Sequence, residues 1–282
     1  MKQLNYRLFP DGINRPIGGI QHRNEEYYES GFESLRVMQE HHFWYRGRHR
    51  FLLSAVDHYL QKSKGPYSAI DLGGGVGGWV HYISQHRADQ FESLALADSS
   101  EIALTSAASI IPKNAERYQV DLMKLGMSEL WDAIFLLDVI EHLPNDFQAI
   151  LQAKEALKPG GYLFVTTPAF PQFWSYNDDI GHHLRRYRRS DFVRLARESG
   201  LTLCDSRYFM FFLSPLYLLS RLKLRASSMT LEQKNDLVNK QHQVPFRLLN
   251  KGLSAFFSLK TPLGHHVRFP WGTSILGVFK KT

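Results

Sequence analysis

The stretch Ala69-Ile70-Asp71-Leu72-Gly73-Gly74-Gly75-Val76-Gly77-Gly78-Trp79 decides the fold of this 282-residue chain. An apolar strand end runs into an acid, and five glycines within six residues then lead into a helix. Glycine allows positive φ and lets the backbone approach a ligand with no Cβ in between. A helix that begins after such a turn presents free backbone N–H groups. The stretch therefore predicts a nucleotide-sized pocket at the end of a strand.

Two glycine patterns compete in this loop. Gly73, Gly75 and Gly78 match G-x-G-x-x-G, the fingerprint that seats a dinucleotide pyrophosphate on a helix N-terminus. The alternative, D-x-G-x-G-x-G, begins at Asp71 and takes Gly77 as its third glycine. An acid two residues ahead of the first glycine places negative charge beside the ligand. This second pattern favours a cofactor that carries a cation and disfavours a pyrophosphate.

Beyond the loop, short apolar runs alternate with helical segments. The runs that we interpret as strands are 68–72, 93–98, 117–120, 133–137, 162–166 and, closing the chain, 273–279. Apolar runs of about five residues separated by helices predict a parallel sheet covered on both faces. We therefore expect an α/β, Rossmann-like doubly wound sheet of seven strands, mostly parallel with an antiparallel last strand. Residues 208–212 are either its sixth strand or part of an apolar cap.

The sequence suggests three regions. Residues 1–64 begin with an irregular polar segment and continue as an N-terminal helical lid, 65–168 form the cofactor-binding core, and 169–282 hold an acceptor-side segment, cap helices and closing strands. A single cysteine, Cys204, excludes a disulfide framework and a cysteine-based metal site. With no apolar signal segment at the start, we expect a cytoplasmic protein. The net charge of +7 is compatible with nucleic acid, anionic lipid or an acidic substrate as partner.

On the D-x-G-x-G-x-G spacing, the chain resembles the class I S-adenosyl-L-methionine (SAM)-dependent methyltransferases. The stretch 136–143, Leu-Leu-Asp-Val-Ile-Glu-His-Leu, is similar to the strand-four motif of their small-molecule members, the type 11, type 12 and quinone-biosynthesis O-methyltransferase groups. Lys158-Pro159-Gly160-Gly161 is similar to the family's turn before strand five. The resemblance covers residues 68–168 and implies SAM as the cofactor.

The resemblance also implies which residues contact the nucleoside of SAM. Asp98 ends the second strand, where the family's acid accepts hydrogen bonds from both ribose hydroxyls, and Ser99 follows it. An acid at this place supports a ribose in dehydrogenases too. Asp121 ends the third strand, where the family binds the adenine amino group, and the N–H of Leu122 meets a ring nitrogen. A competing interpretation makes Asp121 a turn-forming Asx residue.

The methionine end of SAM is assigned in the same way. The resemblance implies that the backbone at Leu137 takes the methionine ammonium and that Arg46, in the helix before the first strand, reaches the carboxylate. The segment around Arg46, residues 42–50, interleaves aromatic and basic residues and could also bind RNA. No recognisable RNA-binding module accompanies it, so we do not expect a nucleic-acid partner.

Methyl transfer to a hydroxyl needs alignment of the reactants and removal of a proton. His142 is a candidate base, because imidazole titrates near neutral pH and the residue follows a strand end. The alternative is a helix-start histidine bonded to a neighbour. Residues 177–187 contain a His-x-Arg-Arg-Tyr run similar to one that lies over the active site in many methyltransferases. They add His182, His183 and Tyr187 to the catalytic candidates.

The same segment contains residue types that can bind a metal. Asp178, Asp179, His182 and His183 are suitable ligand types, but adjacent histidines point apart on regular backbone. We therefore predict no metal.

The predicted function is methyl transfer from SAM to a small-molecule or lipid-linked acceptor, with oxygen as the expected atom. The alternatives are an RNA methyltransferase, a dinucleotide-dependent oxidoreductase and a non-catalytic protein that binds SAM on the same fold. Within 207–260, an uncharged run with basic flanks precedes an amphipathic helix. That combination is typical of an interfacial element, so peripheral membrane contact is a further expectation. The oligomeric state is left open.

Overall fold

The computed structural model describes residues 5–20, 32–61, 64–214 and 246–282. Their strands are β1 (Tyr6–Leu8), β2 (Ile13–Pro16), β3 (Tyr67–Leu72), β4 (Phe91–Asp98), β5 (Glu116–Gln119), β6 (Trp131–Leu137), β7 (Leu157–Pro168), β8 (Thr202–Phe209) and β9 (Ser274–Lys280). Their α-helices are α1 (Phe32–His41), α2 (Phe43–Tyr59), α3 (Gly78–His86), α4 (Glu101–Ala107), α5 (Asp146–Ala156), α6 (Tyr176–Ile180), α7 (Arg189–Ser199) and α8 (Arg247–His266).

These strands form one mixed sheet in the order β1-β2-β5-β4-β3-β6-β7-β9-β8. The strands from β5 to β7 run parallel, and β9 is antiparallel to both β7 and β8. Buried apolar side chains cover both faces of the sheet. The Rossmann-like α/β fold with an antiparallel last strand is confirmed. The expected count of seven strands is wrong, because the described residues form nine.

The two additional strands come from the N-terminal segment that the sequence suggested was irregular. β1 and β2 form an antiparallel hairpin, and β2 pairs in parallel with β5. Pro10 and Gly12 lie in the turn between the two strands, where the Gly12 N–H donates to the Phe9 carbonyl at 2.9 Å. Ile13 is fully buried against the core. The hairpin covers the edge of β5, which would otherwise expose unpaired backbone groups.

The strand predicted at residues 208–212 begins earlier in the structure than that apolar run. β8 starts at Thr202 and includes Tyr208 and Phe209, whereas Met210 has a left-handed conformation and a short 3₁₀ turn follows at Phe211–Leu213. Its first residues, Thr202, Leu203 and Cys204, are exposed or half-buried, because β8 lies at the edge of the sheet. The strand interpretation of 208–212 therefore holds for its first two residues.

The amphipathic stretch after residue 245 is helical, as expected, and forms α8. The rest of the proposed cap, 215–245, lies outside the described residues. Within the described ranges, no helix combines the length and the apolarity that a membrane crossing requires.

Candidate active site

The carboxyl ends of β3, β4, β5, β6 and β7 meet at one edge of the sheet, where doubly wound folds bind their ligands. The glycine loop joins β3 to α3 there, and Gly73, Gly75 and Gly77 have φ of 73°, 56° and 81°. The N–H groups of Gly73 and Gly74 donate to the Ala97 carbonyl at 2.7 and 3.1 Å. The positive φ values explain why the loop is glycine-rich, since residues with a Cβ rarely adopt this conformation.

The three glycines of the D-x-G-x-G-x-G pattern face different surroundings. A Cβ on Gly73 would lie 2.8 Å from a methyl of Val139, and one on Gly77 would lie 2.6 Å from Ile111. A Cβ on Gly75 meets nothing closer than Leu35, at 3.4 Å. Gly73 and Gly77 are therefore required by packing. Gly75 is buried beneath α1, and a Cβ there would be in ordinary contact with Leu35 and Phe32.

Asp98, at the end of β4, organises the neighbouring backbone. Its carboxylate accepts hydrogen bonds from the N–H groups of Gly75, at 2.8 Å, and Ser100, at 2.9 Å. Ser100 is the N-cap of α4, while the carbonyl of Ser99 accepts from Gln119 at 3.0 Å. The carboxylate of Asp98 thus lies against the glycine loop, at the position from which the resemblance has it bind a ribose.

Asp121 follows β5 and forms an Asx turn. Its Oδ1 accepts a hydrogen bond from the N–H of Met123 at 2.8 Å, across the half-buried Leu122. The turn-forming interpretation of Asp121 is therefore correct as a structural statement. The roles of Asp121 and Leu122 toward adenine stay predictions.

Asp71 is 2% exposed, and its Oδ1 has no hydrogen-bond partner among the described residues. Burial raises the pKa of Asp71 to about 7; Asp98 adds to this rise and the guanidinium of Arg48 opposes it. A buried carboxylate without a partner is costly unless a cation or a donor compensates it. The N–H groups of residues 73–75 are already bonded within the chain, so it is the Asp71 carboxylate that fits a cofactor carrying positive charge.

Arg48, on α2, is the arginine that reaches this edge of the sheet. It is buried, forms an ion pair with Asp138, and places its guanidinium carbon 5.3 Å from the ring centre of Trp44 and 5.0 Å from that of Tyr45. Its Nε has no hydrogen-bond partner in the described part of the chain. Arg46, the arginine that the sequence favoured, has an exposed side chain.

The spacing of apolar residues along α2 indicates that Arg48 faces the inside of the protein. Residues four and eight positions after Arg48 are Leu52 and Val56, and both are fully buried. Positions four residues apart share a helix face, so Arg48 lies on the inward face. The position of the motif alone points to Arg46, whereas the spacing along the helix points to Arg48.

Leu137 ends β6, and the next residue turns the chain sharply. Asp138 has φ of 58°, its N–H donates to the carbonyl of Thr166 at 2.9 Å, and the Thr166 hydroxyl donates to its Oδ1 at 3.2 Å. A non-glycine residue held at positive φ is strained, and such residues cluster at functional sites. The strain here is held by the ion pair with Arg48 and by the contacts with Thr166.

A second polar cluster follows on the same side. One ligand-type atom from each of Glu141, His142 and His183 lies within 4.8 Å of the others. Glu141 is fully buried, and neither carboxylate oxygen has a hydrogen-bond partner among the described residues. Burial, with a contribution from Asp138, raises the pKa of Glu141 well above its usual range. The rings of His142 and His183 lie 4.7 Å apart and nearly perpendicular.

His183 is oriented by a buried acid. Its Nδ1 is 2.9 Å from Oδ1 of Asp178, and Arg186 donates to both oxygens of that carboxylate, at 2.7 and 3.0 Å. Although burial acts to raise it, hydrogen bonds from His183 and Arg186 hold the pKa of Asp178 well below its usual range. The Asp178 carboxylate is thus charged and fixes the ring of His183.

Two further candidates lie elsewhere. Tyr187 is 1% exposed, its hydroxyl lies 2.9 Å from Oδ2 of Asp146, and burial together with Asp146 raises its pKa above the usual range. His182 has φ of 55° in the turn after α6 and does not belong to the cluster of His142 and His183. The structure therefore brings together His142 and His183 of the four predicted catalytic residues.

Comparison with known proteins agrees with this geometry. Residues 43–206, more than half of the chain, match the family model for the methyltransferase domain. A candidate methyltransferase of Bacillus halodurans C-125 is 19% identical, with 81% of this chain and 98% of that chain covered and a TM-score of 0.54. No protein with a curated function has significant sequence similarity to this chain.

Two similar solved structures contain cofactor or its product. The plantazolicin methyltransferase BamL, with a desmethyl analogue and S-adenosylhomocysteine, is 14% identical over 89% of each chain, with a TM-score of 0.56. Phosphoethanolamine N-methyltransferase 2 of Haemonchus contortus, with SAM, is also 14% identical with a TM-score of 0.56; 95% of this chain and 61% of that chain are covered. At such identities the likeness is one of fold. From the family match and this fold, the chain belongs to the class I SAM-dependent methyltransferases, enzymes that use SAM as their cofactor.

Proposed function

We propose that this chain transfers the methyl group of SAM to an oxygen atom of a small-molecule or lipid-linked acceptor. The observation that carries the proposal is the ring of His183, fixed by Asp178 and lying beside His142 at the strand edge that also holds the glycine loop. A histidine whose Nδ1 is bonded to a carboxylate has its Nε2 available to accept a proton. Such a base is useful for a hydroxyl acceptor, whereas a neutral amine can react without one.

The residues that we propose to bind SAM lie at the same edge of the sheet, around the glycine loop. We assign Asp98 to the ribose hydroxyls, the backbone at Gly75 to the close approach of SAM, and Asp71 to the positive end of the cofactor. Arg48 replaces Arg46 as the residue for the methionine carboxylate, because its guanidinium is buried at the site. SAM supplies an electrophilic sulfonium methyl group when it is bound.

The chain's own residues then handle one proton. Bound SAM would supply its methyl carbon to the acceptor oxygen, and the electron pair of the carbon–sulfur bond would return to sulfur. The hydroxyl proton passes to Nε2 of His183, with His142 as the neighbouring second base. The positive charge on the imidazole is balanced by Asp178. General-base help of this kind contributes about 10²–10⁴ in rate.

The neighbouring structures leave the acceptor atom open. One of them is named for methylation of the nitrogen of phosphoethanolamine, and the other for plantazolicin. The decisive experiment incubates the enzyme with methyl-labelled SAM and fractionated metabolite and lipid extracts, and then identifies the labelled product by mass spectrometry. A label on an ether or ester oxygen supports the proposal. A label only on nitrogen, carbon or RNA contradicts it.

We further propose that α8 contributes a surface that contacts lipid or a lipid-linked acceptor. Phe246, directly before α8, is 68% exposed, and Leu248 and Leu249 on α8 are 77% and 45% exposed. The exposed Arg247 lies between them, and the exposed Lys251 follows two residues after Leu249. Apolar side chains with basic neighbours suit an anionic interface. Flotation with anionic vesicles at low salt tests this surface, with L248E as the variant expected to stay at the bottom of the gradient. Wild-type protein that does not float contradicts the proposal.

A further inference from the structure

We propose that Glu141, His142 and His183 bind a divalent transition-metal cation of the Zn²⁺ type. The inference rests on the proposed function and deepens it at the same site: Nε2 of His183 would bind the cation, and the cation would activate the acceptor oxygen in place of direct proton transfer to that nitrogen. It departs from the sequence-based expectation of no metal, which considered Asp178, Asp179 and both adjacent histidines. The structure selects a different set, with one ligand from the segment after α6 and two from the segment after β6.

The first argument is the state of Glu141. Its side chain is fully buried, and both carboxylate oxygens lack hydrogen-bond partners among the described residues. Buried polar groups in native proteins are nearly always paired, and an exception calls for a missing partner such as an ion. The nearby acid, Asp138, is already engaged by Arg48 and Thr166. A cation at Glu141 would supply the missing compensation.

The second argument is the way His183 is held. Histidine ligands commonly donate their other ring N–H to a carboxylate, which fixes the ring and increases the basicity of the ligating nitrogen. The 2.9 Å contact from Nδ1 to Asp178 has this form. Arg186 in turn holds Asp178 by two hydrogen bonds, so the arrangement is rigid. The Nε2 of His183 is then left for the cation.

The third argument is the ligand set. Two imidazole nitrogens and one carboxylate form the three-ligand set of catalytic zinc sites, which keep one position open. Zinc–ligand distances of about 2.0–2.2 Å place ligand atoms about 3.5 Å apart. The present spread of up to 4.8 Å therefore requires small side-chain rotations to close the site. An acceptor hydroxyl in the open position would lose its proton to solvent more readily, as metal-bound water does.

The experiment measures the metal directly. The full-length chain is treated with EDTA, dialysed against ZnCl₂ and analysed for zinc, and Co²⁺ is titrated separately while its visible absorption is recorded. We expect one zinc per chain and cobalt bands typical of low coordination number. Glu141→Gln is the main variant, since it removes a buried unpaired carboxylate while keeping the shape of the side chain. It is expected to fold and to bind zinc about 100-fold more weakly or worse; His183→Gln is expected to do the same.

The control is a surface pair with the same ligand types. Glu40 and His41 are exposed, with Nε2 and Oε1 3.7 Å apart, so E40Q/H41Q reports adventitious surface binding. This variant should retain the zinc and the cobalt spectrum of the wild type. Absence of zinc from the wild type, or unchanged binding in Glu141→Gln, overturns the proposal. Because SAM binding and labelled methyl transfer are measured separately, a failure of the metal site is distinguishable from a failure of the proposed function.

Discussion

The edge of the sheet where the carboxyl ends of the strands meet has two parts: a cofactor half, with the glycine loop, Asp98 and Asp121, and an acceptor half, with Glu141, His142 and His183. The two halves are built in different ways. On the cofactor half, carboxylates bind nearby backbone: Asp98 accepts from the N–H groups of Gly75 and Ser100, and Asp121 from that of Met123. On the acceptor half, side chains bind side chains that are distant in sequence. The ring of His183, from the segment after α6, meets the ring of His142, from the segment after β6.

This difference has a functional meaning. A site made of backbone groups and fixed turns binds a constant ligand, so the cofactor half tolerates little change. A site made of side chains on separate segments can be altered one residue at a time. We therefore expect the cofactor half to respond to changes in backbone conformation and the acceptor half to changes in charge.

The largest effect is expected at the glycine loop. Gly75→Val places a branched side chain at a φ of 56° and into the space assigned to SAM, so SAM binding should be abolished in calorimetry. Gly126→Val is the matched control, because Gly126 also has a positive φ, of 64°, but a Cβ there meets nothing within 4 Å. If both variants lose SAM binding equally, backbone strain at positive φ explains the loss. That result would contradict the proposed close approach of SAM to Gly75.

The next effect tests the acceptor half. His183→Ala should lower kcat by about 10²–10⁴ and leave the Kd for SAM unchanged, because the ring handles the acceptor and not the cofactor. The assay uses the acceptor identified by the labelling screen. His182→Ala, one residue away and outside the cluster, is the comparison. If the loss occurs in His182→Ala instead, the role assigned to His183 is wrong.

A smaller effect separates the two arginines of α2. Arg48→Ala leaves the Asp138 carboxylate without its ion-pair partner at a partly buried site, which should destabilise the fold by about 2–4 kcal/mol in urea denaturation. Arg46→Ala changes an exposed side chain and should stay within about 0.5 kcal/mol of the wild type. Similar losses for the two variants would refute the assignment of Arg48 to the site.

A pH dependence from Asp71 is expected to be of similar size to the loss in Arg48→Ala. Its pKa is raised from 3.8 to about 7, so the folded state binds this proton more tightly than the unfolded state. The stabilisation is complete below about pH 4 and is lost as the pH rises through 7. Between pH 5 and pH 8, the wild type should lose about 3 kcal/mol more than Asp71→Asn, in which the group cannot titrate. Parallel pH profiles of the two proteins in urea denaturation would refute the raised pKa.

The local features of the cofactor half were accessible from the sequence. Five glycines after an apolar strand require a tight turn at positive φ, and Asp98 follows from its place at the end of the next strand. These features depend on backbone conformation over a few residues, which sequence encodes directly. The same holds for the alternation of strands and helices, since hydrophobic periodicity is a local property.

The tertiary structure decided what depends on contacts between distant segments. The hairpin β1–β2 has weak local signals and forms because the edge of β5 is available to pair with it. His183 and not His182 joins His142 because the turn after α6 and the hold of Asp178 set the direction of each ring. Packing of α2 on the sheet selects Arg48 over Arg46. In each case, the energy that selects the arrangement comes from burial and pairing between segments, which no single stretch of sequence contains.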